Sequence, residues 1–139
     1  KKINVCTKTF QALRIFVNKE TSELIEGIIK ATKFVKPGGK IIIISFHSIE
    51  DKIVKYYFNN FSSDRSRSSR YFPEDKNNTI VLFKNKNNFL IPSAKEIRIN
   101  PPSRSAKLRF AVRNDNNFIE PIDLKNKFRK YLNLEEIHV

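Results

Sequence analysis

The sequence lacks methionine and tryptophan altogether, and it contains one cysteine, Cys6, and three glycines among its 139 residues. A single cysteine excludes an intrachain disulfide and suits a reducing compartment such as the cytoplasm. Three glycines are too few for either of the standard Gly-rich phosphate-binding loops. No apolar run approaches the roughly 18 residues that a membrane span requires. Because methionine is absent even at position 1, we expect the chain to be part of a longer protein.

Acidic residues are also scarce. The 14 Asp and Glu stand against 27 Lys and Arg, which gives a formal net charge of +13 and a pI near 10.0. Such an excess favours polyanionic partners, with nucleic acid first and a membrane surface second. The alternative is a Lys- and Asn-rich composition that reflects only genome bias. Hydrophobic residues make up 40% of the chain, which is enough for the core of one domain-sized unit.

Hydrophobic periodicity predicts an α/β domain. Apolar residues at helical spacing predict helices over residues 9–18, 21–35 and 48–60. Residues 41–46 form a short, continuously apolar, β-branched run between two helices, which predicts a parallel strand buried on both faces. The rest of the chain is predicted to hold strands at 79–84, 89–91 and 107–112, a helix at 92–99, a short amphipathic helix in the tail after Asn114, and a Ser- and Arg-rich loop at 62–71.

The stretch "IIIISFHSIEDKIVK" places a hydroxyl, an imidazole and two carboxylates directly after the predicted strand. Ser48, followed by Asp51 three residues later, matches a capping box at the start of the next helix. The two acids Glu50 and Asp51 would also complement the helix dipole. This structural interpretation accounts for Ser48, Glu50 and Asp51, but it leaves Ser45 and His47 unexplained. Ligand sites in open α/β sheets lie beyond the carboxyl ends of strands, so His47 is a candidate site residue.

Two other kinds of site find little support in this stretch. A serine hydrolase would need Gly-x-Ser-x-Gly to form its nucleophile elbow, and no glycine flanks Ser48. A metal site needs several ligands at defined spacing, and the two histidines, His47 and His138, together with Cys6 do not supply them. We therefore expect neither a hydrolase nor a metal site.

Two further segments combine basic residues with helix or strand patterns. In "NPPSRSAKLRFAVR", the side chains of Arg104, Lys107 and Arg109 could hold phosphates, although a solvated edge strand often carries such charges too. In "TKTFQALRIFVN", Arg14 lies within an apolar helix stripe. It needs a partner, which is either an acid of the protein or a phosphate of a ligand.

Three blocks, "TKTFQALRIFVN", "KPGGKIIIISFHSIEDKIVK" and "NPPSRSAKLR", resemble in sequence and in order the patterns of the bacterial small-subunit ribosomal RNA cytosine-N4 methyltransferases, the MraW or RsmH family. The resemblance spans about residues 4–113. Lys8 departs from the family's usual arginine, which keeps the charge but loses bidentate recognition. Asn4-Val5-Cys6 replaces the usual His-Pro-Ala, and Pro102 replaces a common arginine. The tail lies outside the pattern.

The resemblance implies a class I methyltransferase with a Rossmann-like sheet, an inserted helical domain and S-adenosylmethionine as the methyl donor. The family's donor site uses a Gly-Gly-His-Ser loop and acidic residues near strand ends, and none of these is in this chain. We therefore expect the C-terminal half of such an enzyme, unlikely to act alone and without donor-binding residues. The expected α/β fold has one parallel strand (41–46) followed by a terminal antiparallel strand pair (79–84 and 106–113). The expected units are the end of the helical insertion and the return to the core (1–18), the C-terminal part of the methyltransferase domain (19–113) and a C-terminal extension with a short helix (114–139).

The resemblance also implies an activity and residue roles. The activity would be methylation of the N4 amine of a cytosine in 16S ribosomal RNA, with the small ribosomal subunit as partner, in the cytoplasm and without a membrane or a metal. The candidates for the pocket that receives the cytosine are Ser45, His47, Ser48 and Asp51. The candidates for gripping RNA are Lys8, Arg14, Asn18, Arg104, Ser105 and Lys107. The alternative is a basic RNA-binding module without catalysis.

Overall fold

The computed structural model describes residues 5–63, 80–84 and 88–136, which form several helices beside a small sheet. The predicted loop at 62–71 falls largely outside these residues. No helix in the described part is long and apolar enough to cross a membrane. The α-helices of this part run over Val5–Val17 (α1), Glu20–Phe34 (α2), Ser48–Asn60 (α3), Ala94–Ile99 (α4) and Ile122–Glu135 (α5), with a 3-10 helix over Pro101–Ser105. The strands run over Lys40–Ser45 (β1), Asn88–Leu90 (β2) and Lys107–Val112 (β3).

The three described strands form an antiparallel sheet in the order β1–β3–β2. β1 pairs with β3 along its whole length, from Lys40 opposite Val112 to Ser45 opposite Lys107, and β2 pairs with β3 on the other side. The strand predicted as parallel at 41–46 therefore has an antiparallel neighbour in the described part of the chain, because β3 runs in the opposite direction. The terminal antiparallel pair is formed by β2 and β3 rather than by residues 79–84 and β3.

Residues 79–84 were predicted to be a strand, and this is wrong over the described residues 80–84, which make only isolated bridges at Phe83. The backbone N–H groups of Leu82 and Phe83 both donate to the carbonyl oxygen of Phe61, at 2.7 and 2.9 Å. A regular ladder does not share one acceptor in this way. Leu82 and Phe83 are fully buried. These residues are therefore apolar because they pack in the core, and a core segment outside a strand can have the same sequence pattern as a strand.

Burial alternates along β1. Ile41 is 7% exposed, whereas Ile42 and Ile44 are 58% and 55% exposed. The prediction that this run is buried on both faces is wrong for the described part of the chain. Helix α3 packs against β1 and β3, and no described element covers the face that carries Ile42 and Ile44. With α2, the same strand borders an open apolar groove of about 260 Å³.

The centre of the core is an aromatic cluster built on α3. The ring of Phe83 packs edge-on against Tyr57 and Phe58, with centroids 5.5 and 5.2 Å away, and Phe61 packs against Tyr57 at 5.1 Å. The hydroxyl of Tyr57 and the hydroxyl of Thr32 on α2 are hydrogen-bonded at 3.0 Å, and burial raises the pKa of Tyr57 to about 12. This contact fixes α3 against α2, the two helices that position the candidate site.

Helix α5 completes the core through Leu124 and Phe128, which are 0% and 2% exposed. At the end of α5, the carboxylate of Glu135 accepts hydrogen bonds from the backbone N–H groups of Thr21 at 3.0 Å and Ser22 at 2.9 Å, and from the Ser22 hydroxyl. The first N–H groups of a helix have no acceptor within the helix. The tail predicted as an extension therefore supplies the cap of α2.

Candidate functional site

Helix α3 begins with a capping box made by His47 and Glu50. Nδ1 of His47 accepts a hydrogen bond from the backbone N–H of Glu50 at 3.4 Å, and Oε2 of Glu50 accepts from the backbone N–H groups of Phe46 at 2.9 Å and His47 at 3.3 Å. The prediction that Ser48 and Asp51 form this box is wrong by one residue. His47 has extended backbone angles, φ −135° and ψ 165°, whereas Ser48 is already helical. A capping residue needs the extended conformation.

Asp51 binds two basic residues of β3 instead. Its Oδ1 lies 2.7 Å from Nε of Arg109, and its Oδ2 lies 2.9 Å from Nζ of Lys107. Burial acts to raise the pKa of Asp51, but the hydrogen bonds from Arg109 and Lys107 and their positive charges outweigh it and hold the pKa below its usual value. The second and third sequence blocks are therefore joined by an ion pair at the edge of the site.

The two predicted serines have different surroundings. Ser45 is 2% exposed, and its hydroxyl donates to the backbone carbonyl of Lys107 at 3.4 Å. Ser48 is exposed on the first turn of α3. Phe46, between them and just before His47, is 56% exposed. The exposed groups beside the imidazole are thus a hydroxyl and an aromatic ring, while Ser45 is packed into the strand pair.

The imidazole of His47 is held in one orientation, with its side chain 8% exposed. Because Nδ1 accepts from the Glu50 N–H, it carries no proton, and the proton of the neutral ring is on Nε2. Nε2 points at two carboxylates: Oε1 of Glu50 lies 3.3 Å away and Oε2 of Glu20 lies 3.6 Å away. Neither contact meets hydrogen-bond geometry, so Nε2 is a buried polar atom without a hydrogen bond in the described part of the chain.

Glu20, the first residue of α2, joins the first sequence block to His47. Its carboxylate accepts from Nε and Nη2 of Arg14 at 2.7 and 3.1 Å, and from the side-chain amide of Asn18 at 3.3 Å. Burial acts to raise the pKa of Glu20, but the hydrogen bonds from Arg14 and Asn18 and nearby positive charge lower it overall. Of the two partners predicted for Arg14, the structure provides the acid. Sequence reasoning missed Glu20, because no spacing signal connects it to His47.

Glu20, His47 and Glu50 present three potential metal-ligand atoms within 4.8 Å of one another. A metal-bound histidine normally donates its other ring N–H to an acceptor. Here the other nitrogen, Nδ1, faces a backbone N–H donor instead. The observed orientation of His47 therefore suits an Nε2–H that points at carboxylates better than it suits metal coordination.

The residues predicted to grip RNA lie on several elements. Lys8 is exposed on α1, and Arg104 and Ser105 are exposed on the 3-10 helix that leads into β3. Arg14, Asn18 and Lys107 are engaged with the acidic residues described above. The structure thus places the predicted RNA contacts in two groups, and Arg14 and Lys107 of the second group keep 56% and 44% of their side chains exposed while they pair with acids.

The methyl donor expected from the resemblance finds no cradle in the described residues. Gly38 and Gly39 form the turn between α2 and β1, where Gly38 has φ +80° and donates its N–H to the carbonyl of Arg113 at 2.9 Å. A Cβ on Gly39 would lie 2.7 Å from Cγ2 of Val35. Gly38 thus supplies the positive φ of the turn and Gly39 allows close packing on Val35, so neither glycine belongs to an open loop for a nucleotide.

The fold is thus an α/β unit in which three separated basic and acidic blocks meet around the start of α3. The model of the MraW methylase family matches residues 1–114, and the chain belongs to this family. The resemblance stated from the three blocks is confirmed.

Curated relatives agree with this assignment. Two proteins named "Ribosomal RNA small subunit methyltransferase H" are 50% identical over 107 residues in Ehrlichia canis and 43% identical over 114 residues in Bartonella grahamii, covering 77% and 82% of this chain. A third of the same name, from Bartonella bacilliformis, is 38% identical over 136 residues, or 98% of the chain. The chain spans between 33% and 39% of the length of these relatives, closer to a third than to the expected half.

Proposed function

We propose that this chain is the acceptor-side part of an S-adenosylmethionine-dependent methyltransferase that acts on the N4 amine of a cytosine in small-subunit ribosomal RNA. Membership of the MraW methylase family and the names of the relatives support a ribosomal RNA methyltransferase. The sequence resemblance supports the assignment of cytosine N4 as the methylated atom and of S-adenosylmethionine as the donor. The corresponding partner is the small ribosomal subunit in the cytoplasm.

The observation that carries the proposal is the convergence of the three blocks. The first block reaches His47 through Glu20, which binds Arg14. The second block reaches the third through Asp51, which binds Arg109. Residues up to 95 positions apart in sequence, Arg14 and Arg109, are therefore brought together near one end of β1. A site beyond a strand end is where α/β proteins bind ligands.

The residues around the acceptor amine have a limited chemical task. In methyl transfer from a sulfonium, the amine nitrogen forms a bond to the methyl carbon as the sulfur–carbon bond breaks, and the amine then loses a proton. The enzyme mainly aligns the two reactants, and acceptors near the amine hold its N–H and take the proton. The carboxylate of Glu50 supplies such an acceptor and Nε2–H of His47 supplies a donor. The exposed ring of Phe46 offers a face on which a base could stack.

The donor enters this proposal only as the source of the methyl group. S-adenosylmethionine supplies an activated methyl when it is bound. The sequence resemblance carries no donor-binding motif onto this chain, so we assign none of its residues to donor binding.

The test uses the protein expressed from the complete reading frame that carries this chain. Purified protein, unmethylated small ribosomal subunits and methyl-labelled S-adenosylmethionine are incubated, and the RNA is digested to nucleosides for mass spectrometry. The proposal expects label in N4-methylcytidine. Label in another nucleoside, or no label with subunits that bind, would overturn it.

A matched pair of variants separates the site from the fold in that assay. His47→Asn keeps a good helix cap but removes the imidazole, whereas Lys130→Ala changes an exposed residue of α5. We expect His47→Asn to lower turnover at least tenfold and Lys130→Ala to leave it unchanged. Equal turnover of the two variants would remove His47 from the proposed site.

A basic RNA-binding module without catalysis is the second candidate. It is favoured by one observation, the formal charge of +13 together with exposed Lys8 and Arg104. This candidate expects RNA binding by the complete protein, with strong salt dependence, and no methylated nucleoside under any condition of the same assay.

A further inference from the structure

Glu20 has contacts that are unusual for the first residue of a helix. An acid in the first turn commonly accepts from the free N–H groups of its own helix. In α2 these groups at Thr21 and Ser22 are taken by Glu135. The preceding residue, Lys19, has the left-handed angles φ 51° and ψ 38°, and the carboxylate of Glu20 turns away from α2 toward α1 and His47.

The oxygen atoms of Glu20 divide their contacts. Oε1 accepts from Arg14 Nε and from the Asn18 amide, and Oε2 accepts from Arg14 Nη2 while it faces His47 Nε2 at 3.6 Å. The bidentate arginine restricts the carboxylate to one orientation. Glu20 is thus held from one side by two residues of the first block and presented to the imidazole on the other.

The imidazole is fixed from the opposite side by Glu50. The Glu50 N–H binds Nδ1, and Oε1 of Glu50 lies 3.3 Å from Nε2. The side chain of His47 is more than nine-tenths buried, and Nε2 points into the space between the two carboxylates. Two acceptors on the Nε2 side and one donor on the Nδ1 side all favour the same tautomer of the ring.

We propose that Glu20 is a positioning residue for the methyl-transfer reaction: it holds the His47 imidazole as the Nε2–H tautomer and links its orientation to Arg14 on α1. This inference rests on the proposed function for its reaction. The structural part of the inference, that Glu20 orients the His47 ring, does not depend on the proposed function. Glu20 acts through His47, and it has no part in gripping RNA other than through Arg14.

The first experiment determines which nitrogen of the His47 ring carries the proton in the 139-residue chain. Long-range ¹⁵N–¹H spectra of ¹⁵N-histidine-labelled protein report which ring nitrogen carries the proton, and a His138→Gln background leaves one histidine. Wild type should show Nε2–H, and Glu20→Gln should shift a measurable fraction to the other tautomer. Glu23→Gln is the matched control, because Glu23 is an exposed acid one turn further along α2. Identical spectra for both variants and wild type would overturn the proposal.

The second experiment reads the reaction in the complete protein. We expect Glu20→Gln to lower kcat about tenfold, since misplacement of a catalytic group is costly, with KM for RNA changed less than threefold. Arg14→Ala should also lower kcat, because Arg14 orients Glu20, and it should raise KM as well if Arg14 contacts RNA. A Glu20→Gln variant as active as Glu23→Gln, or one that changes KM alone, would contradict positioning.

The two proposals fail in different ways. If wild type transfers no methyl group, the proposed function fails while the spectra still decide the role of Glu20. If wild type is active and Glu20→Gln equals the control, only the positioning role fails. Thermal melts accompany both experiments, and Glu20→Asp, which keeps the charge but retracts the carboxylate, replaces Glu20→Gln if that variant does not fold.

Discussion

Oδ1 of Asp51 lies 2.7 Å from Nε of Arg109, across the contact between the first turn of α3 and the middle of β3. The side chains are 13% and 6% exposed. A charge pair this buried is costly to break, because each partner has lost much of its hydration. The pair therefore fixes the third sequence block against the second and sets the position of α3, whose first turn carries His47 and Glu50.

Asp51→Ala should destabilise the chain by about 3 kcal/mol, because it removes the carboxylate that faces the buried Arg109 guanidinium. Lys107→Ala should cost less than about 1 kcal/mol, since the Lys107 side chain is 44% exposed and exposed ion pairs contribute little. Urea unfolding followed by circular dichroism measures both. Equal losses would mean that burial of the pair does not govern its contribution.

Acid should weaken the fold through Glu135. Burial acts to raise the pKa of Glu135, but the hydrogen bonds from Ser22 and Thr21 lower it overall. A carboxyl whose pKa is lower in the folded state stabilises the fold above its unfolded value of about 4.3, and this contribution is lost as pH falls through the folded pKa. Unfolding free energy measured from pH 7 to pH 3 should fall less steeply for Glu135→Gln. The same slope in both proteins would contradict the capping role.

Capping by His47 predicts a specific order of stabilities. His47→Ala should cost about 1 kcal/mol, because the Glu50 N–H loses its side-chain acceptor. His47→Asn should cost less, since asparagine is a strong capping residue. Ser48→Ala should change the unfolding free energy by less than either, because Ser48 makes no cap. A larger loss for Ser48→Ala than for His47→Ala in thermal melts would restore the capping box first expected from the sequence.

RNA binding should depend on Arg104 more than on other exposed basic residues. If Arg104 contacts a phosphate, Arg104→Ala lowers the slope of log K against log salt by about 0.7 for a single strand. Lys130→Ala removes the same charge from α5 and should leave the slope unchanged. Fluorescence anisotropy with a labelled fragment of small-subunit ribosomal RNA measures both slopes. Parallel lines for the two variants would place the RNA elsewhere on the chain.

The apolar face of β1 should promote self-association of the 139-residue chain. Ile42 and Ile44 are more than half exposed on a sheet face that no described element covers, and such faces associate. Ile44→Lys should lower the apparent mass in sedimentation at high protein concentration. Ile99→Lys, on α4 at 75% exposure, is the control for a change away from this face. A wild-type chain that stays monomeric would contradict this expectation.

The start of α3 illustrates what sequence patterns could predict. The helix boundary at 48–60 was predicted at both ends, because the apolar spacing of four is strong. The cap was misplaced by one residue, because both Ser48–Asp51 and His47–Glu50 have the required spacing of three, and serine is the commoner cap. Only the extended backbone of His47 decides between them. The backbone angles of His47 depend on where β1 ends relative to the start of α3.

The strands predicted at 41–46, 89–91 and 107–112 are confirmed within one residue, whereas the strand predicted at 79–84 and the burial of 41–46 on both faces failed for a related reason. An apolar run predicts burial, but it does not say whether burial comes from a ladder or from side-chain packing. Residues 80–84 are buried without a ladder, and Ile42 and Ile44 lie in a ladder without burial. Both outcomes depend on which elements cover each face, and neighbours far apart in sequence decide that.

By itself the sequence determined the helices, the family, the basic character and the candidate residues His47, Arg14 and Asp51, because local spacing and residue type carry those signals. Tertiary structure alone decided their partners. Glu20 meets His47 across 27 positions and Asp51 meets Arg109 across 58. These pairs form because packing of α3 on α2 and β3 brings oppositely charged or hydrogen-bonding neighbours within reach of each buried charge.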